Sequence, residues 1–194
     1  MTEPCTLFLL SPANLSGRRG AMLFNPGAKF QLACELRSAE GAALGDLFSF
    51  VSGLYFRGKL AYARAFARAP AALAAPYVIS AGGGLCTADE RITLERLRGW
   101  ANVSIHQHNP HFSVPLVRHA SALAERCPPA TRFVLLGSVA SDKYVAPLLE
   151  VFGEALHFPT QFAGLGDMSR GALLLRAVRD GQELSYASVA AHRR

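Results

Sequence analysis

Blocks of consecutive apolar residues alternate along this chain with stretches in which apolar positions recur at helical spacing. Thr6-Leu7-Phe8-Leu9-Leu10 is apolar on both faces and stops at Ser11-Pro12, which predicts a strand covered on both sides. Tyr77-Val78-Ile79-Ser80 and Arg132-Phe133-Val134-Leu135-Leu136 have the same character and end in Ala81-Gly82-Gly83-Gly84 and Gly137-Ser138. Leu156-His157-Phe158 reads as a shorter fourth strand. The clearest helix runs from Leu54 to Ala69, rich in Ala, Leu, Arg and Lys and stopped by Pro70. Further helices are predicted over 28–37, 89–100, 142–152 and 168–178, and within 110–126. Asp142 stands near the start of its helix, where an acid suits the dipole. Ser11 to Gly20 and 39–43 read as loops, 71–76 as an Ala/Pro linker, and Glu183 to Arg194 as a polar tail that frays.

Near-continuous apolar strands alternating with helices predict an α/β fold: a single domain over 1–194 with a mostly parallel sheet covered by helices on both faces. Ligands of such sheets bind beyond the carboxyl ends of the strands. Four strand exits are polar or glycine-rich: Ser11 to Asn14, Ser80 to Gly84, Gly137 to Asp142, and Gly164 to Arg170. This edge, and the Ser80 to Gly84 segment above all, is the predicted working surface.

Composition narrows the class. Of 194 residues, 51% are hydrophobic and 18% charged, which excludes a disordered chain, and no apolar run is long enough to span a bilayer. The first residues lack the basic start of a signal peptide, so the expectation is a cytoplasmic protein with no membrane partner. Cys5, Cys34, Cys86 and Cys127 have no paired spacing and read as free thiols. A net charge of +6 favours polyanion partners, although an Arg-rich composition alone produces the same excess.

Several constellations compete for the site. Gly82-Gly83-Gly84 lets backbone amides approach a phosphate or base edge, but it matches neither the dinucleotide fingerprint nor the P-loop; a plain tight turn is the alternative. His106, His108 and His111 flank Asn109-Pro110, which breaks any helix that would align them, so no metal is expected. Ser80 and Ser141, with His106 or His119 as base, lack the Gly-x-Ser-x-Gly elbow of a serine nucleophile. Cys86 is the one thiol placed for a reactivity test. Asp46, Asp89, Asp142 and Asp167 stand in or beside loops, where one could polarise water, with helix capping the competing role for Asp46, Asp89 and Asp142. Arg18, Arg19, Arg57, Lys59 and Arg170 supply positive charge for phosphates, or are solvated surface groups.

The order of these loops resembles that of the YaaA-like superfamily, bacterial proteins linked to peroxide stress and DNA protection, and of their shorter relatives. Ser11-Pro12-Ala13 is similar to the family's Ser-Pro-Ala-Lys opening, with Asn14 in place of the lysine. Gly45-Asp46-Leu47-Phe48 resembles its Gly-Asp-(Val/Leu)-Tyr element, and the Phe56 to Ala67 helix is shared with the short relatives. Tyr77 to Leu85 looks like their strand-Ser-Ala-x-x-Gly-Leu signature. Ala140-Ser141-Asp142-Lys143-Tyr144 resembles Ala-Ser-Asp-Glu-Tyr, and Met168-Ser169-Arg170 its Met-Ser-Arg. Little room remains between the first strand and Asp46 for the helix-hairpin-helix element of the longer members.

The resemblance implies a fold akin to uracil-DNA-glycosylase-like domains, with a basic pocket for a base or nucleotide; no cofactor is expected. Ser11, Asn14, Ser80, Gly82, Gly83, Gly84, Ser141 and Tyr144 would hold the base or sugar, and Arg18, Arg19 and Arg170 the phosphates. Three functions follow as expectations: a nucleic-acid- or nucleotide-binding protein in DNA stress protection; an N-glycosidase or related hydrolase using Asp46 or Asp142; or an interaction module with no small-molecule site. Oligomeric state is not legible in the pattern.

Overall fold

A segment with no exposed side chain on either face must lie between two covering layers, and the first strand is such a segment. The computed structural model describes residues 5–70, 72–73 and 76–193. The chain opens with β1 (Thr6–Leu10), buried throughout, then α1 (Arg18–Phe24), α2 (Gln31–Arg37) and the two-residue β2 (Ala42–Ala43). Two helices follow almost without a break, α3 (Leu44–Ser52) and α4 (Leu54–Phe66), hinged at Gly53 with φ +63°. Then come β3 (Tyr77–Ser80), β4 (Gly84–Thr87), β5 (Arg91–Ile92), α5 (Leu94–Ala101) and α6 (Pro110–Arg126). The remainder is β6 (Arg132–Leu136), α7 (Asp142–Phe152), β7 (Leu156–Pro159), α8 (Asp167–Asp180), β8 (Tyr186–Ser188) and α9 (Val189–His192).

Six strands form one sheet in the order β4-β3-β1-β6-β7-β8. The inner four are parallel, and the two edge strands pair antiparallel to their neighbours. Side chains alternate across the pleat. Leu7, Leu9, Ile79, Phe133 and Leu135 join a core with Phe112, Leu116 and Leu123 of α6 and Val145 and Leu148 of α7. Phe8, Leu10, Val78, Val134 and Leu136 join the opposite core, with Leu44 and Phe48 of α3, Phe56 and Leu60 of α4, Leu97 of α5 and Leu174 of α8. The result is a single α/β domain with helices on both faces, as the unbroken apolar strands require. Among the described residues no helix is long and apolar enough to cross a membrane.

The strand order places the site. The chain leaves β1 for β3 on one side, whereas it leaves β6 for β7 on the other. The two connections diverge at the carboxyl ends of adjacent β1 and β6, and a crevice opens where they part.

Four predicted elements differ. Helix α1 occupies part of the expected 11–20 loop, and the helix expected over 89–100 begins only at Leu94, after β5. Gly82-Gly83 turn β3 back into β4, so this exit is a hairpin rather than an open loop. The expected 71–76 linker lies partly outside the described residues. The expected fraying tail is held instead as β8 and α9. Tyr62 and Tyr186 hydroxyls meet at 2.7 Å, Leu184 N–H donates to Tyr62 at 2.7 Å, and Tyr186 donates to Glu183 at 2.8 Å. Arg68 grips Glu183 with two bonds of 2.8 and 3.0 Å. These partners lie over a hundred residues apart for Tyr62 and Arg68, so local pattern carries no sign of them.

Candidate functional site

The crevice between the ends of β1 and β6 is a cleft of about 610 Å³. Ser11 to Ser16 form its floor and one rim; Ser138 leaves β6 opposite, followed by Lys143 and Tyr144 at the start of α7. Ser52 and Tyr55 enter from the α3–α4 junction, Asp167 from the start of α8, and Ala81, Trp100 and Val103 to Ile105 close the far side. The rim is locally ordered: Asn14 Oδ1 accepts from Ser16 N–H at 3.0 Å and from the Ser16 hydroxyl at 2.7 Å, an Asx turn.

At the base of the cleft stands Lys59, 1% exposed. Its Nζ donates to the Ser11 carbonyl oxygen at 2.6 Å and lies 2.9 Å from Ser11 Oγ. The rings of Tyr55 and Phe56 lie 4.5 and 4.8 Å from the nitrogen. Among the described residues no carboxylate is within ion-pair distance of it. Burial therefore pushes the Lys59 pKa down to about 7, against an upward pull from Asp167.

Tyr144 completes the group. Ser138 N–H donates to its hydroxyl at 3.1 Å, and Ser11 Oγ stands beside it. Burial nevertheless raises the Tyr144 pKa, so the phenol stays protonated near neutrality. A Cβ on Gly137 would lie 2.8 Å from Ser11 Cβ and 3.1 Å from both Ser11 Oγ and Tyr144 Oη. Glycine at 137 is what lets the two hydroxyls converge.

Tyr55 faces the same space. It is 6% exposed, and its buried hydroxyl has no partner with hydrogen-bond geometry among the described residues. Burial raises its pKa strongly, opposed by the Arg170 guanidinium nearby. Arg170 is itself engaged: it donates to the Phe162 carbonyl at 3.3 and 3.1 Å, stacks over the Phe162 ring at 5.3 Å, and stands 3.8 Å from Asp167. An orphaned buried hydroxyl costs about 1–3 kcal/mol, a cost that a ligand or bound water in the cleft removes.

Of the residues singled out from sequence, the structure brings Ser11, Asn14 and Tyr144 together in this cleft. Ser80 is fully buried beside it, donating to Gly84 O at 3.2 Å and accepting from Gly83 N–H at 2.9 Å. The open sides of Gly82 and Gly83 are filled: Cβ atoms there would lie 2.8 and 2.4 Å from Trp100. Gly84 (φ +69°) lies under the Pro115 carbonyl. These glycines make the hairpin turn and its packing against α5 and α6, and Ala81 alone of that segment borders the cleft.

Ser141 caps α7 by accepting from Lys143 N–H, and Asp142 pairs with Arg193. Asp46 is an exposed first-turn residue of α3. Arg18 is exposed on α1, and Arg19 donates to Phe50 O at 3.1 Å, on the outer side of α3. Asp89 pairs with Arg64. His106 and His108 rings lie 5.3 Å apart, and no cluster of metal ligands occurs among the described residues. Burial raises Cys86 to about 11, so its sulfur is a thiol at neutral pH.

Asp167, read from sequence as a candidate acid beside a loop, also lines the cleft, whereas Lys59 and Tyr55 are functional candidates that sequence reasoning left on the surface or passed over. A signal for Lys59 exists: Tyr55, Phe56, Lys59, Leu60 and Ala63 form one apolar helical stripe, and a lysine inside such a stripe is buried. A second depression of about 600 Å³ between α6 and α7 is lined by Val114, Val117, Ala146 and Pro147 and lies away from the crossover crevice. It gathers no buried polar groups. Compared with family models, with curated proteins and with solved structures, the chain finds no match, and its site is read from its own geometry.

Proposed function

We propose that this chain is a nucleobase- or nucleotide-binding protein of the YaaA-like class, with the ligand seated in the cleft between β1 and β6. The observation that carries the reading is the Tyr55 hydroxyl, buried and unpartnered at a strand-crossover crevice of mononucleotide size. The lining suits a base. Tyr55, Tyr144 and Trp100 offer aromatic surface, while Asn14, Ser138 and Asp167 offer donors and acceptors for a heterocycle's edge. Lys143 at the mouth, on a chain of net charge +6, suits a phosphate. In this reading the positive contact falls to Lys143 rather than to Arg18 and Arg19, which stand on α1 outside the cleft.

Trp100 is the sole tryptophan and lines the cleft, so its fluorescence reports occupancy directly. Titration with free bases, nucleosides, mononucleotides and single-stranded oligonucleotides is expected to quench it with at least one class. Oligonucleotide affinity should fall as salt is raised. No fluorescence change and no calorimetric heat with any of the four classes would overturn the proposal.

A further inference from the structure

We propose that Ser11 and Lys59 form a nucleophile–base pair at the floor of the cleft, which transfers the acyl group of a carboxylic ester first to Ser11 Oγ and then to water. The proposal depends on this cleft being the site and not on the ligand being a nucleotide.

The geometry is that of an activated hydroxyl. Lys59 Nζ has two polar neighbours, both on Ser11: the carbonyl oxygen at 2.6 Å and Oγ at 2.9 Å. A neutral amine satisfies both at once, donating one hydrogen to the carbonyl and accepting the Ser11 hydroxyl proton on its lone pair. Burial, opposed by the Asp167 charge, brings the amine to about 7, where the neutral form is available near physiological pH. A purely structural lysine would be better replaced here by an apolar side chain of the same length, because a buried cation without a counter-ion opposes folding.

Ser11 lines the cleft with Lys59 Nζ 2.9 Å from its Oγ, so a substrate meets the hydroxyl first, with the amine one hydrogen bond beyond it. Tyr144 Oη stands beside Ser11 Oγ, and it already accepts from Ser138 N–H, which leaves its own proton free to donate. Donation to Oγ stabilises the alkoxide as the proton departs. Gly137 keeps the approach clear, since any Cβ there would crowd both oxygens.

The step balances with the groups present. The Ser11 Oγ–H proton passes to Lys59 Nζ as Oγ adds to the ester carbonyl carbon. The bond from that carbon to the alkoxy leaving group then breaks, and the leaving oxygen takes the proton from Lys59. A water molecule repeats the sequence on the acyl-serine, releasing a carboxylic acid and restoring the Ser11 hydroxyl.

The test is active-site labelling of the full chain with an alkyl fluorophosphonate, in which Ser11 Oγ would displace fluoride from phosphorus, followed by peptide mapping. The adduct is expected on Ser11, at a rate that rises with pH through about 7. It should be absent from Ser11→Ala and slowed at least ~100-fold in Lys59→Met, with the circular dichroism of both variants unchanged. A missing adduct, an adduct on another residue, or an undiminished rate in a folded Lys59→Met protein overturns the pair. Should Lys59→Met fail to fold, the unaltered protein decides alone: a labelling rate flat between about pH 5 and pH 9 overturns it. Quenching of Trp100 by a nucleotide reads the binding proposal separately.

Discussion

Lys59 Nζ lies 2.9 Å from Ser11 Oγ, joining the middle of α4 to the exit of the first strand across 48 residues of chain. This one contact ties the main packing of the fold to its site. Helix α4 covers the sheet with Phe56, Leu60 and Ala63, and the same face delivers Tyr55 and Lys59 to the edge where β1 and β6 part. The amine is fully enclosed, and its burial outweighs the pull of the Asp167 charge, so its protonation state is set by pH in the neutral range.

Stability should therefore depend on pH through Lys59 with a definite sign. The folded-state pKa is depressed to about 7 from an ordinary value of 10.5. Below about pH 7 both states hold the proton and the full penalty of the buried cation is felt. Between those two values the unfolded chain binds more protons, so stability attributable to this residue rises with pH. Lys59→Met should be more stable than the parent by an amount that is greatest at or below pH 7 and shrinks toward pH 10. The lower limb amounts to a few kcal/mol, at about 1.4 kcal/mol per pKa unit. Urea melts of both proteins at several pH values measure this difference.

Backbone contact between α4 and α8 should be equally exacting. A Cβ on Gly58 would lie 2.7 Å from the Gly171 carbonyl oxygen, and one on Gly171 would lie 2.9 Å from Tyr55 Cα. Gly58→Ala and Gly171→Ala should each cost about 1–3 kcal/mol by forcing the helices apart. Because Tyr55 and Lys59 ride on one helix and Asp167 on the other, the same variants should weaken ligand quenching of Trp100. Thermal melts and the Trp100 titration read the two effects side by side.

Removing the Tyr144 hydroxyl should act on stability and site together. In Tyr144→Phe the Ser138 N–H loses its acceptor at 3.1 Å, and the hydroxyl beside Ser11 Oγ is removed. A loss of about 1 kcal/mol is expected in denaturant melts, with cleft binding reduced. A variant with unaltered melting and unaltered binding would show that the Ser11–Tyr144 contact carries neither role.

Much of the scaffold was legible because it rests on local pattern. The unbroken apolar runs at 6–10, 77–80 and 132–136 mark strands covered on both faces, and Ser141-Asp142 marks the start of α7. What was not legible depends on contacts distant in sequence. Tyr62 and Arg68 fasten the carboxyl-terminal segment, which alone looks polar and loose. Trp100 fills the space over Gly82 and Gly83, so a glycine run that suggests an open cradle is a packed turn. Ser11, Asn14 and Tyr144 were read from strand exits and helix starts and do meet. Lys59 was grouped with surface charges because its burial depends on what covers the α4 stripe, namely the exit of β1.

Thiol chemistry separates the cysteines. Cys34 is exposed, whereas Cys86 is buried with its pKa raised to about 11. Iodoacetamide at neutral pH should alkylate Cys34 in the native protein and leave Cys86 unmodified until denaturant is added, as peptide mapping would report.

The central claim is that the cleft at the ends of β1 and β6 is where this protein meets its ligand. Backbone amide NMR during titration with nucleosides and mononucleotides tests it most directly. The account predicts shifts concentrated at Ser11 to Ser16 (Pro12 excepted), Tyr55, Ser138 and Tyr144, with the Trp100 indole N–H moving in step. Perturbations confined to the α6–α7 depression around His108 and Val114, or none at saturating ligand, would contradict it.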